Sequence, residues 1–464
     1  MAKTKILATI GPASADKVKE LVKAGVDGIR FNMSHIPPEK YESTLKLIRD
    51  TKAVNPELFL VGDLQGPKIR LGDFPPLKIK PNDEIKIVPA SQFSQEGIPL
   101  QLETLYQHVK PGYILLVDDG NVGLEVKSVS NKIIKCIVQY GEVLNARKGV
   151  NVPNVSIPMD YLSKNDASHL GFMAEANFDY VSASYSRNRE DILKVKGRLE
   201  GTGIKVIGKP ENREGIKNLD EIMHEADAMM VPRGDLGMEI GVVNVPACQK
   251  IMIKKCRAAG KPVITATQML ESMMQCKEPK RAEVSDIFNA VLDGTDVVML
   301  SGESSIGKYP VEAVDMMNKT VEQAEEYLFS IGASGSEKGD FCANSETPAD
   351  YISKAICDIA NNQDINAILV PTSTGYTARM VSRFRINKQI IATTYNPKVK
   401  TQLNAVWGVI SLLTEQLDEE YIVEDSIKLA KEKGYIRRGD RILITGGRKM
   451  HGKGTNILRV EDVE

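Results

Sequence analysis

The sequence predicts an α/β protein: a (β/α)8 barrel of the TIM type, an inserted all-β lid domain and a C-terminal α/β domain. Three observations predict this. Eight apolar, β-branched runs alternate with amphipathic stretches, the alternation breaks once, and a second alternating set follows a flexible linker. Near-continuous apolar strands that alternate with helices are typical of a parallel sheet covered on both faces.

The eight runs are the predicted barrel strands. They cover residues 6–10, 28–33, 58–62, 180–183, 206–208, 228–231, 262–266 and 297–300, with helices predicted at 15–24, 166–176, 248–259 and 281–292 among others. Eight such units are what a closed barrel needs. The alternative, an open doubly wound sheet, usually has fewer strands and a glycine fingerprint after the first, and the segment ATIGPAS is not that fingerprint.

The alternation breaks after the third strand. From about residue 71 to 156 the sequence has short strand patterns instead of helices: LKIKPNDEIKIVP, YILLVDDGNVGLEV and NKIIKCIVQYGEV. The pair Asp119-Gly120 between alternating apolar residues predicts a hairpin. Gly66-Pro67 and Val152-Pro153-Asn154 have the composition of hinges. An insertion at this place would cover the catalytic face of a barrel, so we expect a mobile lid.

These patterns predict three domains. The barrel comprises residues 1–65 and 157–330, the inserted β-barrel lid 66–156, and the C-terminal α/β regulatory domain 338–464. The linker between barrel and C-terminal domain begins with the flexible composition of residues 330–335. The predicted C-terminal elements are 351–361, 367–370, 375–384, 390–394 and 441–445.

Composition narrows the class of protein. The 464 residues are 42% hydrophobic and 26% charged, with a formal net charge of −1, which gives no electrostatic footprint for nucleic acid or an anionic membrane. The six cysteines (136, 248, 256, 276, 342 and 357) show no CxxC spacing and are expected to be reduced. With no secretory run and no stretch of about 18 apolar residues, we expect a soluble, cytoplasmic protein.

Ionisable and hydroxyl residues follow nearly every predicted barrel strand, where catalytic residues lie in such barrels. In strand order they are Arg30, Asn32, Ser34 and His35; Asp63, Lys68 and Arg70; Ser184; Lys209 and Glu211; Arg233, Gly234 and Asp235; Thr267 and Gln268; Ser301 and Glu303. Any one of them could equally be a helix cap or turn residue. Lysine and arginine do not cap helix N-termini, however, so the whole set predicts a functional site.

The mixture of charges indicates the chemistry. Glu211 and Asp235 offer hard oxygen ligands that suit Mg²⁺ better than zinc. Lys209, Arg30 and Arg70 would supply fixed positive charge in the same space. Two carboxylates, a divalent ion and three cations are typical of phosphoryl transfer, where catalysis is mainly positioning and charge stabilisation. A buried ion pair between Lys209 and Glu211, two residues apart on one strand, is the structural alternative.

Seven blocks of the sequence resemble the pyruvate kinase family in order and spacing. They are RFNMSH (30–35), DLQGPKIRLG (63–72), KGVNVPN (148–154), MVPRGDLGMEI (230–240), GKPVITATQMLESM (260–273), KRAEVSDIFNAVLDGTDVVMLSGES (280–304) and YPVEAV (309–314). The match covers essentially the whole chain, and TATQMLESM is highly specific. The resemblance implies a phosphotransferase that moves the phosphoryl group of phosphoenolpyruvate to ADP, giving ATP and pyruvate in the last step of glycolysis.

The resemblance also implies roles for individual residues. Glu211 and Asp235 look like the Mg²⁺ ligands, and Lys209 like the cation that stabilises the transferred phosphoryl group, with Arg30 and Thr267 as further catalytic residues. The implied substrate-binding residues are Arg30, Ser184, Lys209, Gly234, Asp235 and Thr267. The implied nucleotide-binding residues are Arg70, Lys148, Asn32 and His35, although a structural hydrogen-bonding role for His35 is an equal alternative. Lys148 and the pair Asp118-Asp119 would reach the nucleotide from the lid.

The third-strand block departs from the common family pattern. Many members have Asp-Thr-Lys-Gly-Pro-Glu there and need K⁺, held by residues like Asn32, Ser34, Asp63 and Leu64. This chain has Lys68 in place of the glutamate and so resembles the branch in which a lysine ammonium replaces the monovalent cation. K⁺ is therefore expected not to be required. Pro210 and Pro232 also replace usual residues and could bend the ends of their strands.

A hydroxyl-rich loop in the predicted C-terminal domain suits a phosphate. It contains Thr372, Ser373, Thr374, Gly375 and Thr377 before a predicted helix. The matching loop binds phosphorylated effectors in regulated family members, and an ordinary helix start is an equal alternative. The family resemblance further implies a homotetramer.

Two other functions are the alternatives to this one. Another Mg²⁺-dependent phosphoenolpyruvate-using barrel enzyme, of the aldolase or carboxyl-transferring type, would lack the inserted lid and the arginine pair. A silent, ligand-sensing relative would be expected to have lost Lys209, Glu211 or Asp235, and all three are present.

Overall fold

The computed structural model describes residues 2–93, 97–153, 155, 157–332, 347–415, 422–447 and 455–464. Its first elements are β1 (Lys5–Thr9), α1 (Val18–Ala24), β2 (Gly28–Asn32), α2 (Tyr41–Val54) and β3 (Phe59–Asp63). Every residue of β1 and β3 is buried, as expected for strands that are covered on both faces. Helix α1 begins three residues later than predicted, because the backbone amides of Ser14 and Ala15 close turns on the carbonyl of Gly11.

The chain after β3 forms short strands, as predicted. They are β4 (Ile69–Arg70), β5 (Leu77–Lys78), β6 (Glu84–Pro89), β7 (Ile98–Leu100), β8 (Ile114–Val117), β9 (Val122–Ser130), β10 (Ile133–Tyr140), β11 (Val143–Leu144) and β12 (Gly149–Asn151). Seven of them make one sheet in the order β4-β12-β8-β9-β10-β6-β7, and β11 pairs with β5. This sheet has its own apolar core, which includes Ile87, Leu115, Leu124 and Cys136.

The predicted hairpin joins β8 and β9. The strands are antiparallel, with Val117 opposite Val122, so the prediction is confirmed. Asp118, Asp119 and Gly120 all have left-handed backbones, with φ of 54°, 53° and 84°. Such angles match the twist of a tight hairpin and leave both aspartates at its tip.

The barrel resumes after this sheet. Its further strands are β13 (Tyr180–Ala183), β14 (Lys205–Gly208), β15 (Ala228–Pro232), β16 (Val263–Ala266) and β17 (Val297–Leu300). Its further helices are α3 (Lys164–Glu175), α4 (Arg189–Arg198), α5 (Arg213–Lys217), α6 (Leu219–Glu225), α7 (Arg233–Ile240), α8 (Val245–Ala258), α9 (Arg281–Asp293), α10 (Gly302–Ser305) and α11 (Pro310–Ser330). The eight strands close in the order β1-β17-β16-β15-β14-β13-β3-β2, with all the pairs parallel. The predicted barrel is confirmed.

Alternate strand residues build two apolar layers. Leu7, Val61, Ile207 and Met299 belong to the cluster within the barrel. Their neighbours along the strands, such as Ile6 and Leu60, belong to the cluster that packs against the helices. The interior of the barrel is therefore filled with side chains and is not a channel. A functional site can form only at the ends of the strands.

The last third of the described chain is a five-stranded sheet with helices. Its elements are α12 (Pro348–Asn362), β18 (Ala367–Pro371), α13 (Tyr376–Ser382), β19 (Gln389–Thr394), α14 (Pro397–Leu403), β20 (Val409–Leu413), α15 (Ile422–Glu432), β21 (Arg441–Gly446) and β22 (Ile457–Asp462). The strand order is β20-β19-β18-β21-β22, with only β22 antiparallel to its neighbour. The sequence patterns missed β20, β22, α14 and α15.

The domain boundaries stay predictions, and residues 333–335 of the predicted linker lie outside the described residues. None of the five cysteines in the described residues forms a disulfide, and Cys342 lies outside that part of the chain. None of the helices in the described segments combines the length and the apolar character that crossing a bilayer requires.

Candidate active site

Three side chains from neighbouring barrel strands meet around the carboxylate of a fourth residue, Asp63. Asp63, at the end of β3, accepts hydrogen bonds from Arg30 Nε (2.8 Å), Lys209 Nζ (3.0 Å) and Ser184 Oγ (3.1 Å). Lys209 Nζ also donates to Ser184 Oγ at 2.7 Å. The parallel strands place these residues side by side, since Arg30 and Asp63 lie in the carboxyl-terminal halves of β2 and β3, and Ser184 and Lys209 directly follow β13 and β14. Arg30 is further held by Thr9 Oγ1 at 2.9 Å.

The charges in this cluster stabilise each other. Burial alone would raise the pKa of Asp63, but Lys209 and Arg30 outweigh it and hold that pKa below its ordinary value. Burial alone would lower the pKa of Lys209, but Asp63 and Glu211 hold it above its ordinary value. The cluster is therefore a fixed ammonium and a fixed guanidinium that share one carboxylate.

Glu211 and Asp235 are brought together by Tyr185. The backbone N–H of Tyr185 donates to Glu211 Oε2 at 2.6 Å, and its phenol Oη donates to Asp235 Oδ1 at 2.6 Å. Tyr185 has a left-handed backbone, with φ of 55°, which is costly for a bulky residue and typical of functional sites. Lys209 Nζ lies 3.3 Å from Glu211 Oε1 and links this pair to the Asp63 cluster.

The two carboxylates differ in how well they are compensated. Burial, with Asp235 and Asp63 nearby and only partly offset by Lys209, raises the pKa of Glu211 to about 7. Burial also opposes ionisation of Asp235, but Lys68 and Tyr185 hold its pKa below the ordinary value. Lys209 stays protonated in this arrangement, so Glu211 is the carboxylate that lacks a full positive partner.

Lys68 reaches the site from the inserted sheet. Its Nζ lies 2.9 Å from Asp235 Oδ1, 3.8 Å from Asp119 Oδ1 and 5.7 Å from the centre of the Tyr185 ring. Lys68 thus contacts Asp235 of the carboxylate pair and Asp119 of the hairpin, whereas the sequence associates it with a pocket of Asn32, Ser34, Asp63 and Leu64. Asp63 is joined to the same network through Lys209.

A turn after β16 carries Thr267. Its Oγ1 accepts from the Gly234 backbone N–H at 2.9 Å, and its backbone is left-handed, with φ of 69°. Arg233 clamps this turn, because its guanidinium donates to the carbonyls of Thr267 (2.6 Å) and Gln268 (3.1 Å) and pairs with Asp286. Gly234, Asp235 and Thr267 are therefore neighbours at the start of α7, as predicted from the strand ends.

Residues at and just after the ends of β2 and β3 line another part of the rim. Asn32 accepts from the Ser34 backbone N–H at 3.3 Å, and Leu64 is buried and donates its N–H to the Ser182 carbonyl at 3.1 Å. Burial lowers the pKa of His35, and the nearby charges of Arg70 and Arg30 lower it further. Burial and the two arginines thus all favour the neutral form of His35.

Arg70 is the last residue of β4 in the inserted sheet, and Lys148 directly precedes β12. Arg70 donates to the Arg147 carbonyl at 3.2 Å, and its partner across the strands is Gly149. Lys148 Nζ lies 2.8 Å from Asp118 Oδ1. The two aspartates of the hairpin tip therefore face two lysines, Asp118 with Lys148 and Asp119 with Lys68.

Glu303 has structural contacts, and Pro210 and Pro232 lie at the ends of barrel strands. Glu303 accepts from the backbone N–H groups of Leu270 (3.1 Å) and Ser301 (2.8 Å), which fixes the loops after β16 and β17. Pro210 lies beyond the end of β14, and Pro232 is the last residue of β15, opposite Ala266, so neither removes a donor from the middle of the barrel.

The predicted effector loop is outside this site. It follows β18, where the Gly375 N–H donates to Thr372 Oγ1 at 3.0 Å and Thr377 Oγ1 lies 2.8 Å from Thr455 Oγ1. The loop stands beside the boundary between β18 and β21, where the strand order of the sheet reverses. Crevices at such reversals are common ligand sites in α/β sheets.

The donor set fits a magnesium ion. Glu211 and Asp235 supply oxygen ligands, and the raised pKa of Glu211 reflects the positive charge that this position lacks. Within the described ranges no group of three or more His, Cys, Asp or Glu side chains is arranged as a complete metal site. Magnesium commonly takes one or two carboxylates and completes its shell with water and substrate oxygens, so two ligands are sufficient.

Sequence reasoning missed Tyr185, Thr9 and the pair of Asn151 with Glu239. Asn151 Nδ2 donates to Glu239 Oε1 at 2.9 Å and joins the inserted sheet to α7. The two groups that Tyr185 offers to the carboxylates depend on an unusual backbone conformation, which no residue pattern encodes. A tyrosine directly after Ser184, at a strand end, was the one available signal.

The fold and the site together define a (β/α)8-barrel protein with a cation-and-carboxylate site at the carboxyl ends of its strands. Residues 1–314 match the family model described as pyruvate kinase, barrel domain, and residues 350–461 match pyruvate kinase, alpha/beta domain. The chain belongs to the pyruvate kinase family.

Curated relatives match along nearly the whole chain. A pyruvate kinase of Clostridium acetobutylicum is 39% identical over 100% of both chains. One of Thermococcus litoralis is 38% identical over 99% of this chain and 98% of its own length. One of Geobacillus stearothermophilus is 38% identical over 99% of this chain and 80% of its own.

Proposed function

We propose that this protein is an active pyruvate kinase, which transfers the phosphoryl group of phosphoenolpyruvate to ADP and gives ATP and pyruvate. The observation that carries the proposal is the position of the Lys209 ammonium, held at once by Asp63, Ser184 and Glu211. A relative that had kept the fold without the activity would not need to pay the desolvation cost of a buried lysine among carboxylates.

Lys209 and Arg30 act on the phosphoryl group. The bond between phosphorus and the enol oxygen breaks while an oxygen of the ADP β-phosphate forms the new bond to phosphorus. Negative charge on the transferred group is stabilised by the two cations, which Asp63 holds in place before substrate arrives. The enolate that is left takes a proton at its terminal carbon and becomes pyruvate, with Thr267 near the face where that proton is added.

Glu211 and Asp235 would hold the Mg²⁺, which when bound supplies a Lewis acid for the phosphoryl and carboxylate oxygens. Tyr185 orients both ligands, since it donates to each of them. The backbone amides at Gly234 and Asp235, at the first turn of the eight-residue helix α7, together with Thr267, would bind the substrate carboxylate. Ser184 is a further substrate contact.

Arg70, Lys148, Asn32 and His35 would bind the nucleotide. Arg70 and Lys148 belong to the inserted sheet, so closure of that sheet over the barrel would carry their charges toward the phosphates. Such closure would exclude water from the transfer and complete the site. The ion pair of Lys68 with Asp235 and the hydrogen bond of Asn151 to Glu239 support contact between the inserted sheet and α7.

Lys68 would make added K⁺ unnecessary. A fixed ammonium 2.9 Å from Asp235 Oδ1 provides positive charge beside the carboxylate pair, and Lys209 connects that pair to Asp63. Lys68 would take over the electrostatic role of a monovalent cation. The pocket for that cation would be formed by Asn32, Ser34, Asp63 and Leu64.

The loop of Thr372, Ser373, Thr374, Gly375 and Thr377 would bind a phosphorylated effector. Its place at the reversal of strand order supports a ligand crevice there. A homotetramer in the cytoplasm is the corresponding assembly and location. Velocity measured against phosphoenolpyruvate, with and without candidate sugar phosphates, tests the effector, and sedimentation tests the four-chain assembly.

A coupled assay for pyruvate tests the function as a whole. With phosphoenolpyruvate, ADP and Mg²⁺ we expect pyruvate and ATP in equal amounts. Pyruvate without ATP, or oxaloacetate in the presence of bicarbonate, would indicate another phosphoenolpyruvate-using barrel enzyme. No turnover by a folded chain would indicate a ligand-sensing relative.

A further inference from the structure

Tyr161 is a buried tyrosine on the segment that leads from the inserted sheet back to the barrel. It lies between β12, which ends at Asn151, and α3, which begins at Lys164, and it is 1% exposed. Its side chain belongs to the apolar cluster of the barrel, whereas Met159, two residues earlier, packs against the apolar cluster of the inserted sheet. The segment therefore passes from one core to the other just before Tyr161.

The Tyr161 hydroxyl binds the loop after β13, residues 184–187, which we call the β13 loop. Its Oη donates to the Ser184 carbonyl at 2.9 Å and lies 3.4 Å from Ser186 Oγ. Ser186 is itself fixed, because its backbone N–H donates to the Lys209 carbonyl at 3.0 Å. The phenol is thus a hydrogen-bond partner of a buried turn that connects the ends of β13 and β14.

Both connections of the inserted sheet meet at the Ser184 carbonyl. The backbone of Gly66, in the connection that leaves β3, approaches this oxygen so closely that a Cβ there would lie 2.5 Å from it. Tyr161, in the connection that returns to the barrel, donates its hydrogen bond to the same oxygen. The two ends of the insertion are therefore fixed at the place where the barrel presents Ser184.

Arg187 attaches the return segment to the other end of the β13 loop. Its guanidinium donates to the Met159 carbonyl at 3.0 Å and lies 5.8 Å from the centre of the Tyr161 ring. It also makes two hydrogen bonds to Asp191, at 2.9 and 3.0 Å, so α4 fixes its position. The ring of Tyr161 therefore contacts the same loop that its hydroxyl binds.

The β13 loop supplies two residues of the candidate active site. Ser184 Oγ accepts from the Lys209 ammonium at 2.7 Å, and Tyr185 donates to both predicted magnesium ligands. The left-handed backbone of Tyr185 is costly for a bulky residue unless its surroundings hold it. Ser184 and Ser186, the residues on either side of Tyr185, are the ones that the Tyr161 hydroxyl contacts.

We propose that Tyr161 is a positioning residue for the phosphoryl-transfer site. Its hydroxyl holds the β13 loop in the conformation that directs Ser184 to Lys209 and Tyr185 to the magnesium ligands. Tyr161 acts through the backbone of Ser184, so it is not a catalytic residue. Its effect on the reaction rests on the proposed kinase function, whereas its effect on the conformation of the loop does not.

Tyr161→Phe removes only the hydroxyl, and Tyr180→Phe is its matched control. Tyr180 is 2% exposed and donates its Oη to the Gln402 carbonyl at 2.8 Å, at the opposite end of β13. Both variants lose one buried hydrogen bond to a carbonyl, so unfolding by denaturant should show similar losses of stability. Only Tyr161→Phe should disturb the β13 loop.

Hydrogen–deuterium exchange of the full chain measures the loop directly. In Tyr161→Phe the amides of Tyr185 and Ser186 should exchange about tenfold faster than in the wild type, because their hydrogen bonds to the residues that follow β14 open more often. Tyr180→Phe should leave the exchange of both amides unchanged. Unchanged exchange in Tyr161→Phe would overturn the proposal, whether or not the chain is an active kinase.

Steady-state kinetics separates positioning from stability. At saturating Mg²⁺, kcat for pyruvate formation by Tyr161→Phe should fall by about tenfold or more, with little change in KM for ADP, while Tyr180→Phe should keep the wild-type values. Faster exchange with an unchanged kcat would show that Tyr161 shapes the loop without serving the reaction, and would overturn the assignment. A wild-type chain without turnover would contradict the proposed kinase function instead, and the exchange measurement would then decide on Tyr161.

Discussion

Lys209 shows how single residues create the chemistry of this protein. A lysine among apolar strands would ordinarily lose its proton, but Asp63 and Glu211 hold its pKa above the ordinary value despite burial. Arg30 also donates to Asp63, so this one carboxylate is shared by two cations, Arg30 and Lys209. The positive charge that a phosphoryl group would meet is therefore in place before the substrate binds.

Tyr185 is predicted to position the magnesium ligands. In Tyr185→Phe the hydrogen bond to Asp235 is lost, while the backbone N–H that holds Glu211 remains. We expect the affinity for Mg²⁺ to fall by about tenfold, with little change in kcat at saturating Mg²⁺. Calorimetric Mg²⁺ titration without substrate, together with rates against Mg²⁺, measures this.

Tyr351→Phe is the matched control, because Tyr351 is 61% exposed on α12 in the C-terminal sheet domain. It should change neither Mg²⁺ affinity nor rate. An unaltered Mg²⁺ titration in Tyr185→Phe would show that Tyr185 does not position the magnesium ligands.

Lys205 makes stability depend on pH. Its pKa is about 7 in the fold against 10.5 ordinarily, so the unfolded chain binds the extra proton between these values and stability rises with pH across that window. Lys205→Met should therefore raise the unfolding temperature by a few degrees at pH 6 to 7, and the gain should shrink toward pH 10. Calorimetric melting across this range, without added phosphate, measures the effect; a gain that grows with pH would contradict it.

Residue patterns predicted the members of the site better than their contacts. Arg30, Asp63, Lys209, Glu211 and Asp235 were found because parallel strands deliver their carboxyl ends to one rim. The contact of Lys68 with Asp235 could not be predicted, because it depends on how the inserted sheet leans over α7. The role of Arg233 was missed for the same kind of reason, since its partners are carbonyls of a distant turn.

At the scale of elements, the junction at Gly66 connects β3 to the inserted sheet. Gly66 has φ of +67°, and a Cβ there would lie 2.5 Å from the Ser184 carbonyl oxygen. Gly66→Ala should therefore push Ser184 away from Asp63 and Lys209. We expect kcat/KM to fall by about ten- to a hundredfold, since small displacements of positioned groups have large effects.

Gly112→Ala controls for the backbone strain alone. Gly112 has φ of +90°, but a Cβ there would meet no atom within 4 Å. Both variants should lose about 1–2 kcal/mol of folding free energy from the left-handed conformation, yet only Gly66→Ala should lose activity. Activity is measured by the pyruvate assay and folding free energy by denaturant unfolding. Equal activity in the two variants would show that Gly66 does not support the site.

The barrel strands were predictable because each is a short, continuous apolar run bounded by polar residues. Elements of the C-terminal sheet were harder to predict. Helix α14 is only seven residues long and begins at Pro397, and β20 follows it directly with no strong turn signal beyond Gly408. Strands β18 and β21 pair although they are more than 60 residues apart in the sequence. Local patterns carry no information about such pairing.

The activity of the complete protein should not depend on K⁺, because Lys68 should replace the monovalent cation. We expect nearly the same rate with Mg²⁺ in Na⁺ or tetramethylammonium buffer as in K⁺ buffer. Lys68→Glu, which restores the residue common in the family, should be slow without K⁺ and be activated by adding it. A large K⁺ activation of the wild-type chain would contradict the proposed role of Lys68.

Lys209 is the residue proposed to stabilise the phosphoryl group during its transfer. The most direct measurement compares wild type with Lys209→Met, both for pyruvate formation from phosphoenolpyruvate and ADP and for phosphoenolpyruvate binding with Mg²⁺ by calorimetry. We predict that turnover falls by at least about a hundred- to a thousandfold while phosphoenolpyruvate still binds. Turnover close to that of the wild type in a folded Lys209→Met chain would contradict the claim.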